Sequence, residues 1–289
     1  MDAQIGGGAA PGGQDFGKEF DIEFRLLLDA IYHLYHYDFR GYAGASLRRR
    51  MKSAMTRFDC RSLSQLQDRV VHEPGVFDAL LDYLTVQVSE MFRDPTYFRA
   101  LREQVVPILR TYPSLKVWVA GCSAGEEAYS IAILLREEGL LGKTLIYATD
   151  INARTLARAE AGVYDIDRMA GFTLNHRESG ASGSLSEYYT AAYGRALFDK
   201  SLKERIVFSD HSLATDSVFA EVQLVSCRNV LIYFSRELQD RALGLFHASL
   251  CRQGFLGVGS KESLRFSAQH DSFIPFVDRD RIYQKRAAP

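Results

Sequence analysis

No apolar run in this chain reaches the roughly 18 residues that a membrane-crossing helix needs, which argues against direct membrane insertion. Charge of one sign is missing too. Thirty-five Lys and Arg face 36 Asp and Glu, a formal net of −1, so overall charge names no partner. Cysteine is scarce: Cys60, Cys122, Cys227 and Cys251 lie far apart, with no CxxC pair and no His at ligand spacing. That pattern predicts free thiols in a cytoplasmic protein and no metal site. The opening "MDAQIGGGAAPGGQDFG" lacks the basic and apolar regions of a secretory signal, and residues 1–17 read as a flexible Gly-rich tail. What the chain does have is core-forming material. Of its 289 residues 47% are hydrophobic, enough for one large domain or two unequal ones.

Residues 18–88 read as helical. "FDIEFRLLLDAIYHLYHY" puts Phe20, Phe24, Leu27, Leu28, Ile31, Leu34 and Tyr35 on one stripe, and Ser46 is a candidate N-cap for the helix that follows. From about Leu115 the texture changes. Short β-rich runs ("LKVWVAG", "TLIYATD", "RIVFSD", "VQLVSCRN", "GFLGVGS", "RIYQK") alternate with helical segments at 126–138, 152–161 and 235–251. This alternation predicts an α/β domain over 89–289 with a mostly parallel, Rossmann-like sheet. The interval from Tyr164 to Lys203 is too long for a plain crossover and reads as an inserted subdomain, at about 164–203, or a functional loop.

In an open parallel sheet the ligand lies over the carboxyl ends of the strands. Two such ends are readable: "AGCSAGEE", where Gly121, Ser123, Ala124 and Gly125 allow close backbone approach, and Asp150, ending "TLIYATD". An acid at the second strand's end suits the hydroxyls of a ribose. The turn matches neither phosphate fingerprint. "GKT" at 142–144 has Glu137 where a P-loop needs its first Gly, and "GCSAGE" is not GxGxxG. Two acids, Glu126 and Glu127, stand where a phosphate would sit. S-adenosylmethionine resolves this conflict, because its near end carries an ammonium and a sulfonium that favour a neighbouring carboxylate. The competing reading is that both acids only complement the helix dipole.

The motifs "SEMFRDPTYF", "AGCSAGEEAYS", "ATDIN", "SCRNVLIYF" and "GVGSKESL", in this order, resemble CheR-type chemotaxis receptor methyltransferases over about residues 20–285. The resemblance implies a helical N-terminal domain and a class I S-adenosylmethionine-dependent methyltransferase domain with an inserted antiparallel β-subdomain. It also implies methyl transfer to glutamate side chains of chemoreceptor cytoplasmic helices, leaving S-adenosylhomocysteine. In "QVSEMFR", Gln87, Ser89 and Arg93 take the family's Asn, Thr and Arg places. One of Glu126 and Glu127 meets the methionine ammonium, beside Gly121, and Asp150 takes the ribose. "DHSL" puts Ser212 and Leu213 at the adenine, where the family usually has Asn-Leu, and Arg228, Asn229 and Tyr233 match "CRNVLIYF".

A glutamate acceptor is ionised at neutral pH, so the reaction needs positioning and no general base. Arg93 is the expected orienter of the incoming carboxylate, with Tyr233 close to the reacting atoms; a surface ion pair and a core aromatic are the plain alternatives. The stretch Arg40–Arg61 holds seven basic residues against Asp59. It reads as a solvated helix face or as a docking surface for a glutamate-rich receptor helix. No base-stacking motif accompanies it, so nucleic acid is not the expected partner. A methyltransferase with another acceptor and a non-catalytic S-adenosylmethionine sensor are the competing functions.

Overall fold

The computed structural model describes residues 17–86 and 88–286 and separates into two compact units, Met1–Leu84 and Thr85–Pro289. Gln87 and all of the expected tail except Gly17 lie outside the described residues.

The first unit is four helices: α1 (Lys18–Tyr35), α2 (Gly44–Arg57), α3 (Leu63–His72) and α4 (Val76–Leu84). Phe24, Leu27, Leu28 and Ile31 of α1 bury against Leu47, Met51 and Ala54 of α2, Leu63, Leu66 and Val70 of α3, and Phe77, Leu80 and Leu84 of α4. Leu34, expected on the same stripe, is 51% exposed. At 100° per residue it sits about 80° from Phe24, past the edge of the buried arc. Ser46 is not the N-cap. The helix begins at Gly44 after Ala43, and Ser46 sits in its first turn, where its Oγ accepts from Arg50 at 3.4 Å.

The second unit is built on β1 (Leu115–Ala120), β2 (Thr144–Asp150), β6 (Ile206–Asp210), β7 (Val222–Cys227), β8 (Leu250–Val258), β9 (Phe273–Val277) and β10 (Ile282–Lys285). Their order across the sheet is β6-β2-β1-β7-β8-β10-β9. The first five run parallel and the β8–β10–β9 pairings are antiparallel. The sequence therefore placed the parallel core correctly. It did not suggest β9, because "FIPFV" has Pro275 in its middle; as an edge strand, β9 tolerates the missing N–H. Nor did it suggest the helical stretch α5 (Pro95–Ala100), a π turn (Leu101–Val105) and α6 (Val106–Leu109). The crossovers α7 (Glu126–Glu137), α8 (Ala153–Ala161) and α11 (Arg236–Ser249) lie near their expected ranges. α11 stops two residues early because Leu250 already starts β8.

Between α8 and β6 the chain forms a separate three-stranded antiparallel sheet, ordered β3-β5-β4. Its strands are β3 (Val163–Asp165), β4 (Tyr189–Ala192) and β5 (Arg195–Phe198); α9 (Met169–Glu178) lies between β3 and β4, and α10 (Lys200–Lys203) follows β5. The core under the main sheet is continuous. Val117 and Val119 of β1, Ile146 and Ala148 of β2 and Leu224 of β7 pack with the apolar face of α7 and with Tyr164 and Phe198 of the inserted sheet.

Candidate functional site

Because β6, β2, β1 and β7 are neighbours and parallel, their carboxyl ends bring the segments at 210–213, 150–152, 121–127 and 227–229 to one edge of the sheet. The turn after β1 is pinned to the end of β2. Gly121 and Cys122 both donate from their backbone N–H groups to Thr149 O, at 2.8 and 2.9 Å. Gly125, at φ +92°, leads into α7; a Cβ there would come within 2.9 Å of Ala159 and 3.2 Å of the Tyr164 hydroxyl. Ser123, at φ +49°, is buried with its Oγ unpartnered.

Asp150 accepts the Ser123 N–H on Oδ2 at 2.9 Å and the Asn152 N–H on Oδ1 at 3.0 Å. Burial pushes its carboxyl above the ordinary aspartate value, and the backbone N–H bonds only partly offset this. Each oxygen keeps acceptor capacity for a ligand hydroxyl. His211 donates its backbone N–H to Asp150 O at 3.2 Å, which brings the Ser212 segment alongside. Ser212 is tied into its own loop, its N–H donating to Asp216 at 2.9 Å, and Leu213 is 6% exposed.

Glu126 and Glu127 have different surroundings. Glu127 is engaged inside the protein: Ser226 Oγ donates to it at 2.6 Å and Arg228 Nη1 lies 3.3 Å away. Arg228 in turn reaches Asp94 at 2.7 Å and the Arg93 carbonyl at 2.8 Å, and stacks 4.2 Å over the Tyr97 ring. Its side chain is 1% exposed, so it clamps the segment carrying Arg93. Glu126 is 1% exposed; its Oε1 meets Arg168 Nη1 at 2.9 Å and its Oε2 has no partner. A buried carboxylate oxygen with nothing to accept from fits a ligand ammonium. Asn229, at φ +61°, likewise keeps a buried Oδ1 without a partner. These orphaned acceptors and the narrow glycine turn fit the methionine and ribose portion of S-adenosylmethionine.

Arg93 is half-buried, and its guanidinium makes no hydrogen bond or ion pair with the described residues. Its backbone is well held: Ser130 Oγ donates to Glu126 O at 2.7 Å and accepts the Phe92 N–H at 2.9 Å. Tyr233, half-buried, ends the short turn Leu231–Tyr233, its N–H bonded to Val230 O at 3.0 Å. Ser89 contributes its carbonyl, which accepts from Arg168. Arg168 was missed by the sequence reading. It lies in the inserted segment, where no local pattern separates it from a surface arginine. Beside it a groove of about 560 Å³ is lined by Ser89, Arg168, Phe172 and Asn175, among others.

Residues 22–85 match the family model for the CheR methyltransferase all-alpha domain, and residues 87–278 match that for the CheR methyltransferase SAM-binding domain. The Pseudomonas putida protein named "Putative methyltransferase Cher3" is 62% identical over 93% of this chain and 98% of its own length. The chemotaxis protein methyltransferase of Vibrio parahaemolyticus is 32% identical over 75% of this chain and 80% of its own, and that of Listeria innocua is 30% identical over 77% and 83%. With both models matched in order and the orphaned acceptors at the sheet edge, this chain belongs to the CheR methyltransferase family, with S-adenosylmethionine as its cofactor.

Proposed function

We propose that the chain methylates glutamate side chains of chemoreceptor cytoplasmic helices, giving glutamyl methyl esters. The observation that carries this reading is Arg93: a half-buried guanidinium with no partner among the described residues, on a backbone clamped by Arg228. A planar, permanently charged fork held in this way is suited to seize an incoming carboxylate through two hydrogen bonds. The relatives named as chemotaxis protein methyltransferases agree with an acceptor of that kind.

S-adenosylmethionine supplies an electrophilic methyl group on its sulfonium. Glu126 Oε2 would hold the ammonium of the methionine end, Asp150 the ribose hydroxyls, and Asn229, Ser212 and Leu213 the remaining contacts, with Ser89 at the entering segment. Arg93 holds the acceptor carboxylate in its ionised form, and Tyr233 flanks the reacting atoms. Orientation and exclusion of water are the chain's contribution, since an ionised acceptor needs no base.

The basic stretch of the first unit is narrower than its count. Arg40 pairs with Asp38 at 2.9 Å and Arg48 with Asp21 at 2.7 Å, while Arg50 is turned onto Leu84 O and Ser46. Arg49, Arg57 and Arg61 remain exposed without ion pairs among the described residues, and they form the docking charge for an acidic receptor helix. The reaction takes place in the cytoplasm; among the described residues no helix is long and apolar enough to cross a membrane.

The test is transfer of radiolabelled methyl from S-adenosylmethionine to receptor cytoplasmic domains, with mild alkali releasing the label as methanol. Arg93→Ala should lower the rate by about 100-fold or more while S-adenosylhomocysteine still binds. Label on an acceptor other than a receptor, or tight S-adenosylhomocysteine binding without any turnover, would replace the glutamate reading.

A further inference from the structure

The motif "GVGSKESL" is not used by the mechanism above, yet its acid is among the most deeply placed charges in the molecule. Glu262 is 4% exposed. Every hydrogen bond it receives comes from the backbone. The Asn229 N–H and the Gly259 N–H donate to Oε2 at 2.9 and 2.5 Å, and the Ile232 N–H donates to Oε1 at 3.2 Å. The three donors belong to two loops, the one after β7 and the one after β8. Gly259 makes this approach possible: a Cβ there would stand 2.7 Å from Asn229 Nδ2 and 2.8 Å from both Asn229 N and Glu262 Oε2. Asn229 itself holds a left-handed backbone at φ +61°, a conformation that asparagine tolerates better than most side-chain-bearing residues.

We infer that Glu262 is a positioning residue of the methyl-transfer site: one carboxylate oxygen sets Asn229 at the cofactor, and the other sets the turn that carries Tyr233. An ionised carboxylate suits this place, because every partner is a donor and both of its oxygens accept. Burial raises the carboxyl's affinity for a proton, and the converging N–H groups oppose this. The roles given to Asn229 and Tyr233 rest on the proposed methyl-transfer reading; the geometry of the clamp does not.

The two oxygens make the inference separable. In Glu262→Gln the remaining oxygen can still serve Asn229 and Gly259, while the amide nitrogen faces the Ile232 N–H and repels it. Glu262→Ala removes both contacts. In the full-length wild-type chain the amides of Asn229 and Ile232 should exchange slowly with solvent although Ile232 is 43% exposed. E262Q should release Ile232 alone, keep S-adenosylhomocysteine affinity within about threefold by calorimetry and lower turnover about tenfold. E262A should release both amides and weaken S-adenosylhomocysteine about tenfold. Rapid exchange of either amide in the wild type overturns the inference. So does an E262A chain with wild-type affinity, or an E262Q chain that loses affinity and turnover in the same proportion. If the wild-type chain labels no receptor, the acceptor reading has failed, and the exchange and affinity measurements still decide the role of Glu262.

Discussion

Neighbouring residues on a helix point about 100° apart, and this rotation gives Glu126 and Glu127 different chemistry. Glu127 turns to Ser226 and Arg228, and Glu126 turns to Arg168 with one oxygen left unpartnered. The expected consequences are opposite. Glu126→Gln should weaken S-adenosylhomocysteine by about tenfold or more in calorimetry, because a neutral amide no longer attracts the ammonium. Glu127→Gln should leave that affinity close to wild type and lower stability by about 1–3 kcal/mol in thermal melting, because Arg228 loses one of its two carboxylates. The reverse pattern would exchange their roles. The sequence left these two acids equivalent, since an alternation of residue types does not say which direction a neighbouring strand approaches from.

At the scale of elements, Glu137 at the end of α7 joins four pieces of the second unit. Its carboxylate accepts from His176 of α9 at 2.8 Å and from the Tyr188 hydroxyl at 3.2 Å, and it pairs with Arg102 of the π turn. Burial pushes its carboxyl up, but the bonds from His176 and Arg102 together hold it below the ordinary glutamate value. For a carboxyl lowered by folding, the stabilisation is complete above the unfolded pKa of about 4.3 and is lost as pH falls towards the folded value. Glu137→Gln should therefore cost about 3 kcal/mol at neutral pH and show a shallower fall in melting temperature between about pH 5 and pH 3 than the wild type. Parallel slopes would remove Glu137 from the acid limb. None of this was legible beforehand, because Glu137 lies 35, 39 and 51 residues from its three partners. The parallel strands were legible, because each is a short apolar run flanked by turn residues. The stretch at 95–109 was not, with proline near both ends and a π turn between.

On the whole-molecule scale, a nearly neutral chain can steer an acidic partner only through local charge. Exposed Arg49 and Arg57 lie on α2, and Arg61 follows it. Reversing the first two, Arg49→Glu with Arg57→Glu, should raise KM for receptor about tenfold, leave S-adenosylhomocysteine affinity unchanged and flatten the salt dependence of the rate. An unchanged KM would return this stretch to a solvated helix face. Arg40, Arg48 and Arg50 would make poor choices for the same experiment, since internal partners already hold them.

The sequence by itself determined the fold class, the cofactor and the place of its turn. These depend on local patterns: apolar runs, a glycine turn opening a helix, and an acid at the end of the next strand. Tertiary structure decided which of two adjacent acids keeps an unpartnered oxygen, that Arg228 is a clamp while the Arg93 side chain is left open, that Arg168 meets Glu126, and that Glu262 gathers the backbone N–H groups of two loops. The physical reason is that a charge acts through what surrounds it, and those surroundings come from segments far apart in the chain.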